Sequence, residues 1–143
     1  MTTREQMDRL IAAHIEAEMA ADAAAAVTVY TDDVEHDVVG WPTGPVRGPG
    51  AAKDFYDQLI AAFVNQEMVP TRSHYGDDFC VIEHRTTGLF PRGFLGAPGS
   101  DEPVVFRVLH VFEFRGGAIS RENVWLDTGA ILAQLTGAGP GRG

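Results

Sequence analysis

Apolar residues recur at helical spacing early in the chain and at every second position later. Met7, Leu10, Ile11, Ile15 and Met19 fall on one face of a helix over Arg4 to Met19, with Thr2 or Thr3 placed to cap it. The alanine-rich run from Ala21 to Tyr30 predicts a second helix, with Asp22 as its cap, and Thr31-Asp32-Asp33 breaks it. Val34 to Val39 alternates as a short strand, and Gly40 to Pro45 has loop composition. A third helix over Ala51 to Phe63 carries Phe55, Leu59 and Phe63 on one stripe. From Met68 onward the period becomes two. Strands are expected at Val69 to Tyr75, Phe79 to Thr87, Val104 to Phe114 and Ile119 to Leu126, with a hairpin turn at Gly116-Gly117. Pro91 to Pro103 reads as a loop, and Thr128 to Leu135 as a short closing helix.

Helices first and strands afterwards predict an α+β fold, in which helices cover one face of a mostly antiparallel sheet. A curved sheet covered in this way leaves a pocket between its layers. Residues 1–136 read as one domain, with a Gly/Pro-rich flexible tail over 137–143.

Charge and cysteine content narrow the function classes. The chain of 143 residues carries a formal net charge of −9. That balance argues against nucleic acid and against anionic membranes as partners. Cys80 is the only cysteine, so no intrachain disulfide can form, which fits a cytoplasmic location. The longest uncharged run near the start, Ala23 to Tyr30, is too short to span a membrane.

Three histidines interrupt apolar faces. His14 lies in the first helix, His36 alternates with Val34 and Val38, and His110 alternates with Val108, Phe112 and Phe114. Each can be a core histidine satisfied by backbone, or a proton carrier titrating near neutral pH. Val38 and Phe112 share the expected inward faces and are candidate pocket walls. Trp41, in the Pro/Gly loop, either roofs a flat ligand or packs on a helix. Asp127 precedes a helix and is well placed as its N-cap; the alternative is a general acid/base. Asn123 and Trp125 alternate with Asp127, and are expected to line the pocket with it. Zinc-finger spacings, phosphate-cradling glycine motifs and a Gly-x-Ser-x-Gly elbow are absent. No metal is expected, since no carboxylate-histidine spacing supports one.

Two stretches carry a family resemblance. Val34-Glu35-His36-Asp37-Val38-Val39-Gly40, Arg47-Gly48 and Ala51-Ala52-Lys53-Asp54-Phe55-Tyr56 resemble the strand, loop and helix of ketosteroid isomerases. His36 falls where that family has its aspartate base. His14 falls at its oxyanion-binding tyrosine, and His110 at its protonated aspartic acid. None of the three keeps the family's residue. The second half, through Gly93-Phe94-Leu95-Gly96, Phe106 to Phe114 and Gly117-Ala118-Ile119, is similar to SnoaL-like polyketide cyclases. Those enzymes are described as using an aspartate near the last strand, close to Asp127. The resemblance implies a cone-shaped α+β barrel with one pocket. It implies an enzyme doing acid/base chemistry without a cofactor on an apolar, carbonyl-bearing molecule such as a polyketide or steroid-like compound. The reaction would be an isomerisation or an aldol-type cyclisation. His36 would be the base, with His110 and His14 stabilising an enolate oxygen. The alternative is a non-catalytic small-molecule-binding or assembly protein of the same fold. Arg107, Leu109, Val111 and Glu113 fall on the opposite face of the sheet, where a homodimer interface is expected.

Overall fold

The computed structural model describes residues 1–137. Its ten elements in chain order are α1 (Arg4–Met19), α2 (Ala23–Ala26), β1 (Tyr30–Val39), β2 (Val46–Arg47), α3 (Pro49–Ala62), β3 (Val64–Tyr75), β4 (Phe79–Leu89), β5 (Val104–Arg115), β6 (Ala118–Leu126) and α4 (Thr128–Thr136). The strands form one curved six-stranded sheet in the order β2-β1-β6-β5-β4-β3. All neighbours pair antiparallel except β1 with β6. The sheet is open, with β2 and β3 at its edges.

Local chemistry explains the element ends. Thr3 caps α1 with a full capping box, its hydroxyl accepting from Gln6 N while the Gln6 side chain accepts from Thr3 N. Met7, Ile11, His14 and Ala17 form the buried stripe of α1. Gly116 and Gly117 both have positive φ, as the tight β5–β6 hairpin requires. Gly137, in the left-handed region, ends α4. The rest of the expected tail, 138–143, lies outside the described residues.

The alanine run departs from its expected extent. Only Ala23–Ala26 is helical, capped by Asp22 through its bond from Ala25 N. The sheet claims the residues after it: Ile119 N donates to Val29 O at 2.8 Å, and β1 starts at Tyr30 rather than Val34. Tertiary pairing overrides alanine's helix propensity there.

Two hydrophobic clusters make up the core. One lies under α1, α2 and α3 and includes Met7, Ile11, Tyr56, Phe112 and Ile119. The other, at the α4 end, includes Phe90, Phe94, Phe106, Val124 and Ile131. No helix is long and apolar enough to cross a membrane among the described residues.

Candidate active site

A cavity of about 70 Å³ opens between the concave face of the sheet and α3. Phe63, Phe90, Phe94, Phe106, Leu126 and Ile131 make its apolar end. Its other end is polar: Glu18, His36, Tyr56, Thr86, His110 and Glu122.

The polar end is organised around Glu122, which is fully buried on β6. Tyr30 donates its phenol to Glu122 Oε1 at 2.7 Å, and Tyr56 donates to Oε2 at 3.0 Å. His14 Nε2 lies 3.0 Å from Oε1. His110 Nε2 and His36 Nε2 stand further off, at 3.7 and 4.0 Å from Oε2. A carboxylate buried without partners would be prohibitive, so these donors are what permit it.

Proton positions can be assigned from the geometry. His14 Nδ1 lies 2.8 Å from the carbonyl of Ala26, which can only accept, so Nδ1 carries a hydrogen. Its Nε2 faces a carboxylate oxygen and must also carry one, which makes His14 an imidazolium paired with an ionised Glu122. Burial opposes this charge, but Glu122 outweighs it and pushes the His14 pKa up to about 9. For Glu122, burial acts upward, and the His14 charge and hydrogen bond prevail to hold it well below the usual carboxylate range.

His36 is in the opposite state. Burial lowers its pKa, with Glu122 only partly opposing, so it is neutral. Tyr56 Oη lies 3.0 Å from His36 Nε2 and already directs its own proton to Glu122. It therefore accepts from His36 Nε2–H, which leaves Nδ1 as the basic nitrogen. His110 is pushed down to about 3 by burial and is also neutral. Its Nδ1 has no hydrogen-bond partner, nor does the Thr86 hydroxyl beside the cavity.

The structure sorts the sequence candidates. His36, His110, Val38 and Trp41 line the cavity. Trp41 stands edge-on to Phe55 at 5.1 Å, so it both packs on α3 and walls the cavity. His14 does not reach the wall: both its nitrogens are engaged, and Tyr56 bridges between it and His36. Phe112 shares its face with His110, stacking on it at 5.1 Å, but lies deeper under α1 and is closed off from the cavity. Asp127 caps α4 through Ala130 N at 3.2 Å and is not part of the wall.

Asn123 and Trp125 are on the other side of the sheet. Asn123 donates to Asp37 and accepts from the Trp125 indole, which is 51 % exposed. The cavity receives Glu122, Val124 and Leu126 instead. The cause is a register shift in β5–β6: Phe114 pairs with Ile119, but Glu113 pairs with Arg121. One extra residue in β6 makes Ile119 and Glu122 both face inward, and reverses the alternation extrapolated from Ile119. Glu122 and Tyr56, with Glu18, Tyr30 and Thr86, are thus site residues that the sequence pattern does not single out. Tyr56 has a usable signal, one position from Phe55 and four after Ala52 on the buried face of α3.

The curved, helix-covered sheet with a cavity between its layers is a cone-shaped α+β fold of the ketosteroid isomerase-like kind. The profile of the SnoaL-like domain matches residues 11–122, and the chain belongs to that family. No curated protein matches it by sequence. Among solved structures, a candidate polyketide cyclase from Xanthomonas campestris superposes with a TM-score of 0.79 at 22% identity, covering 92% of this chain and 98% of that one. A protein of ketosteroid isomerase-like fold from Catenulispora acidiphila, solved with trimethylamine, gives 0.72 at 18% identity, covering 87% and 90%. An LEH-like epoxide hydrolase of M. tuberculosis gives 0.71 at 18% identity, covering 94% and 92%. At these identities the likeness speaks for the fold.

Proposed function

We propose that this protein is an enzyme that moves protons on an apolar, carbonyl-bearing small molecule of polyketide or steroid-like character, by isomerisation or aldol-type cyclisation. The observation that carries the reading is a neutral His36 in the wall of an apolar cavity, 4.0 Å from a buried, ionised Glu122. His36 Nδ1 takes a proton from the carbon next to the carbonyl, and the C–H electron pair moves into an enolate. The Thr86 hydroxyl, inward and unpartnered, is the group available to the enolate oxygen; His110 turns its one hydrogen, at Nε2, toward Glu122, and its Nδ1 can only accept. The imidazolium formed at His36 is stabilised by Glu122, directly and through Tyr56. Returning the proton to another carbon completes an isomerisation. Attack of the enolate on a second carbonyl, whose oxygen receives the proton, completes a cyclisation. His14 acts only by keeping Glu122 charged.

The test is deuterium exchange next to the carbonyl of α-tetralone in D2O, monitored by proton NMR. The wild type should accelerate exchange over buffer, and His36→Ala should lose about 10²–10⁴-fold of that acceleration. Asp127→Ala should keep it. Binding of α-tetralone with no acceleration would favour the carrier reading. A homodimer through the outer sheet face is part of the proposal. Exposed Val105, Leu109 and Trp125 support it, lying among the paired charges Arg107–Glu83 and Arg121–Glu113.

A further inference from the structure

A second cavity, of about 140 Å³, adjoins the first. The two share Glu18, Tyr56, Leu59, Phe63 and Asn65 as walls, so these residues stand at the junction of the two. Beyond it the second cavity runs outward past Met19, Ala21 and Val64, between the ends of α1 and α3 and the start of β3.

The junction holds two buried oxygens without hydrogen-bond partners, Glu18 Oε2 and Asn65 Oδ1. The nearest cation to Glu18 Oε2 is His14 Nε2 at 3.7 Å, beyond hydrogen-bond reach and already committed to Glu122 and Tyr56. Buried polar atoms in native proteins are normally satisfied, so orphans on residues that line a cavity point to an absent group. These two orphans have the same character: an amide carbonyl only accepts, and so does the Glu18 carboxylate in its ionised form. The group that satisfies both is a hydrogen-bond donor. The walls around them are apolar or aromatic: Leu59, Ile60 and Phe63. At the other end of the first cavity's polar face, the Thr86 hydroxyl is a separate orphan that can donate to a carbonyl.

We propose that the junction formed by Glu18 and Asn65 is a subsite for the donor-bearing end of the ligand, a hydroxyl or an ammonium on an apolar body. It rests on the reading of the main cavity as a ligand site, and adds which end of the ligand points where: the carbonyl toward Thr86, the donor toward α1 and β3. Burial raises the Glu18 carboxyl to about 7, partly countered by His14, so a neutral hydroxyl and a cation can both be met there.

The experiment compares three probes of one carbon skeleton by isothermal calorimetry: 4-phenylbutan-1-ol, 4-phenylbutylammonium and the methyl ether of the alcohol, which only accepts. The alcohol and the ammonium should bind about tenfold tighter than the ether, the difference one hydrogen bond to a charged acceptor makes. Glu18→Gln should remove most of the ammonium's advantage, and Asn65→Ala should reduce the advantage of both donors. A shift of the Asn65 side-chain amide signals with the alcohol, and not with the ether, places the donor at the junction. Equal binding of all three probes overturns the subsite and leaves the main cavity as a ligand site. A donor advantage unchanged in both variants overturns it as well. Failure of all three probes to bind removes the reading of the main cavity, and the subsite with it.

Discussion

The two halves of the core keep order by different physics. At the α4 end, Phe90, Phe94, Phe106, Val124 and Ile131 hold together by apolar contact, which is non-directional and tolerant of similar shapes. Under α1 and α3, a buried carboxylate, an imidazolium and two phenols are bound to one another, and each group is needed to satisfy the rest. The cavity runs from one half to the other. The apolar half can therefore change its shape with little penalty, while the polar half behaves as one unit.

The largest expected effect is at Glu122. Glu122→Gln leaves the His14 charge buried without its counter-ion and should cost about 3–5 kcal/mol in urea unfolding. An unchanged midpoint would mean that the cluster does not act as a unit. Tyr30→Phe removes one donor to the carboxylate and should cost about 1.5–3 kcal/mol in the same assay.

The polar half should also give the fold its pH profile. The folded-state pKa of His14 is raised from 6.5 to about 9, so its contribution is complete below 6.5 and is lost as pH rises through 9. Glu18, raised from 4.5 to about 7, likewise contributes at low pH and loses its contribution as pH climbs through 7. His36, His84 and His110 are depressed, so their contribution is present above 6.5 and is lost as pH falls, toward 3 for His110. Just below 6.5 these three depressed histidines outweigh Glu18. The melting temperature should therefore peak near pH 6.5 and fall toward both pH 5 and pH 9. A profile still rising at pH 9 would remove the His14–Glu122 ion pair from the account.

In the apolar half the effects shrink. Asp127→Ala removes only a helix cap and should cost about 0.5–2 kcal/mol. Ile131→Val, in the cavity wall, should cost about 0.5–1.5 kcal/mol. Should Ile131→Val prove as damaging as Glu122→Gln, the contrast between the halves would be wrong.

Legibility in the sequence divides along the same line. Period and capping locate α1, the β5–β6 hairpin and the inward placement of His36 and His110, because each depends on nearby residues. The chemistry around Glu122 is hidden because it depends on a bulge. Reading β6 by strict alternation from Ile119 sends Asn123 and Trp125 inward, and one extra residue reverses every later position. His14 is recognisable as inward, yet nothing in its own helix reveals that Tyr56, from α3, stands between it and the cavity. The truncated second helix has the same origin, a sheet contact made far away in the chain.

The placement of the two tryptophans supplies the molecule with its own optical instruments. Trp41 forms part of the cavity wall, while Trp125 lies half exposed on the far side of the sheet. One indole is positioned to test the proposed guest and the other to test the proposed homodimer. With Trp125→Phe, the remaining emission should respond to 4-phenylbutan-1-ol and ignore protein concentration. With Trp41→Phe, it should shift to the blue as concentration rises and ignore the alcohol, so occupancy and association can be tracked as two separate colours of one unlabelled chain.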